Sequence, residues 1–232
     1  MRALHHGLCE IVDGRIWASE RPVWFRGVRL RARTSVIRVD DGRLLIYSPA
    51  PPSEDWVKQV AALGKVSWLV VPNCFHHLGT PAAAAAFPAA KVLAPRSAGA
   101  KNPKLRIDVE IREPSFTELM PELVLIPLEG VPFLDETLLY HRPTETLLGA
   151  DVVLSADESD HWTWRLAARV LGCYKRARVP HDVKIADTEA ASRSLHALGA
   201  LTIQRLVVAH GNVIDEAPLA KLTEAWRLAG VS

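Results

Sequence analysis

Residues 66–81 read Val66-Ser67-Trp68-Leu69-Val70-Val71-Pro72-Asn73-Cys74-Phe75-His76-His77-Leu78-Gly79-Thr80-Pro81. The run from Val66 to Val71 is almost wholly apolar, as expected of a strand covered on both faces. Pro72 and Gly79 bracket an irregular loop that carries two adjacent histidines. Thr80 and Pro81 then suit the N-cap and first position of an alanine-rich helix that stops near Phe87-Pro88. Strand, histidine loop, helix is the unit around which the remaining sequence is organised.

Upstream, the pattern is β. Glu10 to Ala18 alternates loosely. Gly27 to Arg33 alternates cleanly, with Val28, Leu30 and Ala32 on one face and Arg29, Arg31 and Arg33 on the other. The arginine face is expected to be a solvated outer strand face. Ser35–Val39 and Leu44–Ser48 flank Asp40-Asp41-Gly42, a hairpin signal. After Pro49-Ala50-Pro51-Pro52, Ser53 is placed to cap a helix that Gly64 should end.

Downstream, Lys91–Ala94, Val109–Arg112, Leu123–Leu128, Leu134–His141 and Thr146–Ala150 are expected strands, with a turn at Arg142-Pro143-Thr144-Glu145. Helices are expected at Trp162–Leu171, Thr188–Leu198 and Glu216–Leu228, with a strand at Ile203–Ala209 before the last. The hairpins demand antiparallel pairs and the strand-helix-strand units demand parallel ones. The expected class is therefore α+β, with two mixed β-sheets packed together and helices on the outer faces, an αββα sandwich.

Composition narrows the function. The 232 residues are 49% hydrophobic and 23% charged, which excludes a disordered or low-complexity chain. Residues 1–232 are expected to form a single domain. With 28 Lys+Arg against 26 Asp+Glu, no charge excess calls for nucleic acid or a membrane surface, and a small-molecule substrate is the expected partner. A homo-oligomer stays open. Cys9, Cys74 and Cys173 are odd in number and widely spaced, against a disulfide framework. With no long apolar segment near the amino terminus, the expectation is a cytoplasmic protein.

Metal-capable residues fall after three expected strands: His76 and His77, Asp151, and His210. Chain ends of strands are where side chains converge on sites. Three imidazoles and a carboxylate suit Zn²⁺, with Fe²⁺ the alternative. Each also has a structural reading: a hydrogen-bonded histidine pair, a turn-capping Asp151, a core His210.

The order of elements, with these motifs, resembles the metallo-β-lactamase fold superfamily over nearly the whole chain. Its signature T-H-x-H-x-D-H-x-G aligns with Val71 to Gly79, its T-G-D with Gly149-Ala150-Asp151, and its G-H-G with Ala209-His210-Gly211. The segment Pro72-Asn73 to His76-His77, followed by Phe87-Pro88-Ala89-Ala90, resembles a degenerate branch of that superfamily. The resemblance implies two metal positions. The first is lost here, because Pro72 and Cys74 replace its H-x-H pair and Leu128-Glu129-Gly130-Val131-Pro132 supplies no histidine. The second is retained as His76, His77, Asp151 and His210.

The implied cofactor is thus one divalent ion, zinc or iron, the alternative being a metal-free chain. The implied activity is a mononuclear metal-dependent hydrolase. His76 and Asp151 are its candidate catalytic residues, since a weak bond from His76 would leave a position for water and Asp151 would no longer bridge two ions. The alternative is a chain that keeps the fold as a binding or assembly module. An iron oxidoreductase ranks third. Cys74, Glu129 and Asn212 are further residues expected near the cleft, and Lys175, Arg176 and Arg178 form a basic loop suited to an anion.

Overall fold

The computed structural model describes residues 7–112 and 120–231. Among the described residues, eleven strands form two mixed sheets, one of seven strands in the order β1-β2-β3-β4-β5-β6-β7 and one of four in the order β11-β10-β9-β8. With their helices they make an α+β fold, as the alternating sequence patterns require.

The described residues cluster into two compact units, one containing Pro22–Ala32 and the chain from Ile126 onward, the other the residues before Pro22 and Arg33–Leu125. Strand β1 (Cys9–Val12) pairs antiparallel with β2 (Ile16–Phe25). Strand β3 (Val28–Arg38) pairs antiparallel with β4 (Leu44–Tyr47), joined by the Asp40-Asp41-Gly42 turn with Gly42 at φ 82°. The expected break at Thr34 does not occur. Its hydroxyl donates to Ser48 O at 2.8 Å and the strand runs on through eleven residues.

From β4 the sheet is parallel: β5 (Val66–Val70), β6 (Lys91–Ala94) and the two-residue β7 (Val109–Glu110) follow in order, with one register shift between β4 and β5 at Leu44/Leu45. Their apolar faces, with Trp17, Trp56, Val60 and Ala83, make one core. Helix α1 (Glu54–Leu63) is capped by Ser53, whose hydroxyl accepts from Trp56 N at 3.4 Å, and ends at Gly64. Ser53→Ala is expected to cost about 1 kcal/mol in urea unfolding, the ordinary value of such a cap. Helix α2 (Thr80–Ala86) has Gly79 as its N-cap, so Thr80 is its first residue and Pro81 its second, and the helix begins one residue earlier than the sequence suggested. Helix α3 (Arg96–Lys101) was not anticipated; Pro95 sets its extended cap, and Gly99 inside it obscures the signal.

The unit with the chain from Ile126 onward carries β9 (Thr137–His141), β10 (Thr146–Leu148) and β11 (Arg205–Val207); β8 (Leu123–Pro127) leads into it. Strand β10 pairs antiparallel with β9 and parallel with β11. The expected strand at Leu134 starts only at Thr137, because Leu134 N and Asp135 N both turn back to Val131 O. Helices α4 (Trp162–Val170) and α5 (Thr188–Leu198) lie where periodicity put them. Helix α6 (Pro218–Arg227) begins two residues later than expected, since Ala217 takes φ 47°. Trp226 is fully buried there and donates its indole N–H to Val152 O at 3.0 Å. No described helix is long and apolar enough to cross a membrane.

The arginine face is not solvated. Arg31 and Arg33 are buried. Arg31 forks Asp160, Nε to Oδ1 at 2.7 Å and Nη2 to Oδ2 at 3.1 Å, while Arg33 pairs with Glu20. Alternation identified two faces but not which one would meet carboxylates.

Candidate functional site

The Gly149-Ala150-Asp151 segment leaves β10 and is caught by one carboxylate. Glu136, fully buried, accepts from Ala150 N at 2.7 Å and from Asp151 N at 2.9 Å. A Cβ on Gly149 would clash with Val152 Cγ1 and crowd Leu138, so a side chain there would force its neighbours to shift. Glu136 was not singled out from the sequence; its only signal is one acid heading the apolar stretch Thr137–Tyr140. Glu136→Ala should cost about 2–4 kcal/mol, as two buried N–H groups lose their acceptor. Glu136→Gln, which keeps an acceptor, should recover part of this. Chemical denaturation of both variants measures the difference.

His210 follows β11, and its imidazole is oriented by backbone. Its Nδ1 lies 2.6 Å from Arg31 O. A carbonyl can only accept, so Nδ1 carries the hydrogen and, in the neutral ring, Nε2 carries the lone pair. That Nε2 stands 3.6 Å from Asp151 Oδ1. This is too long for a hydrogen bond. It is close to the ~3.4 Å between two ligands on a tetrahedral ion with bonds of ~2.0–2.1 Å. With the hydrogen on Nδ1, His210 Nε2 and the Asp151 oxygen are two donor atoms at a spacing that fits a divalent metal. Gly211, at φ 147°, passes so close to Ser155 that any side chain there would collide with its hydroxyl.

Arg31 has a second role here. Its Nη2 reaches Asn212 Oδ1 at 3.4 Å, and Asn212 Nδ2 donates to Asp157 Oδ2 at 2.7 Å. Asp157 N in turn donates to Asp160 Oδ2 at 2.9 Å. Burial pushes the Asp157 carboxyl upward, but hydrogen bonds from Ser159 and Asn212 and the charge of Arg31 outweigh it and hold the group below its ordinary range. A depressed carboxyl stabilises the fold above its unfolded pKa of ~4 and loses that contribution as pH falls through its folded value. Asn212→Ala should therefore flatten the acid limb of the melting temperature below about pH 4, measured by scanning fluorimetry.

His76 and His77 lie in the other compact unit. Asn73 is fully buried, and its Oδ1 accepts from Phe75 N at 2.9 Å and His76 N at 3.1 Å, an Asx turn that shapes the loop. His76 Nδ1 meets Ser48 Oγ at 2.7 Å, and Ser48 itself sits at φ 56°, a strained position for a non-glycine residue. His77 Nδ1 faces Asn102 Nδ2 at 3.5 Å. Burial, then the charges of Lys101 and His76, push the His77 pKa down, which favours the neutral, metal-ligating imidazole. Gly79 runs against the backbone of Pro49 and Ala50, where no side chain fits.

The remaining sequence candidates have local partners. Cys74 is buried, with Lys101 Nζ 3.0 Å from its sulfur and the same ammonium 3.4 Å from the Phe75 ring centroid. Glu129 N donates to Ser194 Oγ at 3.0 Å.

Residues 13–98 match the family model described as a domain of unknown function, DUF4336. No curated protein matches the sequence. Solved structures do. A metallo-β-lactamase from Pontibacter korlensis aligns over 95% of this chain and 98% of its own at 13% identity, with a TM-score of 0.66. One from Erythrobacter litoralis, solved with β-mercaptoethanol in its active site, aligns over 95% and 96% at 13% identity, with a TM-score of 0.65. FIM-1 from Pseudomonas aeruginosa, in its mono-zinc form, aligns over 100% of both chains at 10% identity, with a TM-score of 0.64. At such identities the likeness concerns the backbone alone, and by that measure this chain has the metallo-β-lactamase fold.

Proposed function

We propose that the chain is a mononuclear metal-dependent hydrolase acting on a small ester, amide or phosphoester. Its one divalent ion, zinc by ligand type with iron the alternative, would be held by His76, His77, Asp151 and His210. The observation that carries this is the Asp151–His210 pair, whose donor atoms lie 3.6 Å apart, the spacing of two ligands on one ion. That FIM-1, with the same fold, was solved in a mono-zinc form supports a one-metal reading.

A bound ion of this kind supplies Lewis acidity, polarising a carbonyl or phosphoryl oxygen and acidifying water. The chain's own part is orientation. The Arg31 carbonyl fixes the tautomer and ring plane of His210, so that Nε2 keeps its lone pair for an ion. Glu136 holds the backbone of Asp151, and Ser48 and Asn73 hold His76. His76 and Asp151 are the proposed catalytic residues, His76 as the weaker ligand that leaves space for water.

The test is metal analysis of protein purified without chelator, followed by ester, amide and phosphoester assays. About one ion per chain, with chelator-sensitive turnover, is the expected result. Metal below ~0.1 equivalent together with no turnover would overturn it. That outcome belongs to the second reading, a metal-free binding module, which the Lys101–Cys74 contact favours, since a side chain at a lost ligand position is used structurally.

A further inference from the structure

A cavity of about 700 Å³ lies wholly within the unit that carries α4 and α6, and it excludes His76, Asp151 and His210. Its volume is that of a small-molecule site, ~300–1,000 Å³. Its lining combines two chemistries. Val183, Ile185, Ala225 and Leu228 are apolar, whereas Arg169, Arg176 and Arg178 are cationic.

The cationic side is built on fixed backbone. Leu154 and Arg178 exchange both backbone hydrogen bonds, at 2.9 and 3.0 Å, and Lys175 N donates to Ala156 O at 2.7 Å. Between them, Cys173 is buried as an anchor, its thiol pushed up to about 12 by desolvation and so inert. The Arg169 guanidinium lies 3.7 Å over the Tyr174 ring and donates from Nη1 to Arg165 O at 2.7 Å, two contacts that fix its place on the wall. Among the described residues, Arg176 and Arg178 make no ion pair within 4 Å. Two nearby carboxylates have other ion-pair partners, Glu158 with Lys175, and Glu224 with Arg227 through two hydrogen bonds of 2.8 and 3.0 Å, although Glu224 also feels the charge of Arg178.

We infer that this cavity is a second ligand site, for an organic anion whose phosphate or carboxylate head meets Arg169, Arg176 and Arg178 and whose apolar body lies against Val183, Ile185 and Leu228. Forked guanidinium groups suit a planar or tetrahedral oxyanion. An inorganic ion would leave the apolar wall wet, and a neutral alcohol would leave the arginines without a partner.

Isothermal titration calorimetry on the full chain tests this with hexyl phosphate, hexanoate, inorganic phosphate and hexanol. Hexyl phosphate or hexanoate should saturate at one site and bind at least about tenfold more tightly than inorganic phosphate and hexanol. Arg176→Gln/Arg178→Gln should weaken that binding about tenfold or more, and His210→Ala should leave it unchanged. Val183→Trp, which fills the apolar side without touching an arginine, should abolish hexyl phosphate binding even if the double variant folds poorly. The inference is overturned if no probe saturates below ~10 mM, if hexanol binds as well as the anions, or if binding survives Arg176→Gln/Arg178→Gln and disappears in His210→Ala. The last result would place the anion at the metal centre and leave the proposed hydrolase intact.

Discussion

Arg31→Ala should lower the unfolding free energy by about 3–5 kcal/mol, the cost of removing one partner from a buried, hydrogen-bonded ion pair. The side chains of Arg31 and Asp160 are 10% and 1% exposed, so little water reaches the carboxylate that is left behind. Both guanidinium bonds to Asp160 go at once, and so does the contact to Asn212 that ties in Asp157. The loss is one of desolvated charge more than of attraction. Asp160→Leu in the Arg31→Met background should therefore restore much of the stability, since replacing both partners with apolar groups removes the unpaired charge. A double-mutant cycle in urea gives the coupling directly. A cost below about 1 kcal/mol for Arg31→Ala would mean that the pair behaves as a solvated surface contact.

The backbone carbonyl of Arg31 survives that substitution, so His210 keeps its acceptor and the folded fraction should keep its metal content. His210→Ala is the converse case. It removes the imidazole without burying a new charge, and its main expected effect is on metal. In the wild-type chain, ion at a hundredfold excess over its dissociation constant should add about 2.7 kcal/mol of stability, which a chelator removes. His210→Ala should lose that increment, show less than ~0.1 equivalent of metal after dialysis, and unfold identically with and without chelator. Asp151→Asn, which keeps shape and loses charge, should fall between the two. Thermal melts with and without EDTA, paired with metal analysis, measure all three. An unchanged chelator response in His210→Ala would remove this residue from any metal site.

The basic loop and the histidine loop show how differently two equally visible motifs resolve. Arg176 and Arg178 stand on the cavity wall, as a solvent-reaching basic loop can. Arg31 and Arg33, just as conspicuous in their alternation, are consumed by Asp160 and Glu20. The partner of Arg31 is 129 residues away in sequence, beyond the reach of any periodicity. Five tryptophans are buried, but Trp24 and Trp162 are 63% and 65% exposed, again a matter of which face each element turns outward.

The amino-acid sequence by itself determined the local elements, because helix caps, turn glycines and apolar period act over only a few residues: Ser53 and Gly64 bound α1, and Asp40-Asp41-Gly42 turns β3 into β4. It also determined which side chains are chemically able to ligate. Only the tertiary structure decided that a carbonyl in β3 would lock the tautomer of His210, and that a buried Glu136 would hold Asp151 before it. Such contacts join residues brought close by folding, and a hydrogen bond acts over about 3 Å of space with no regard to distance along the chain.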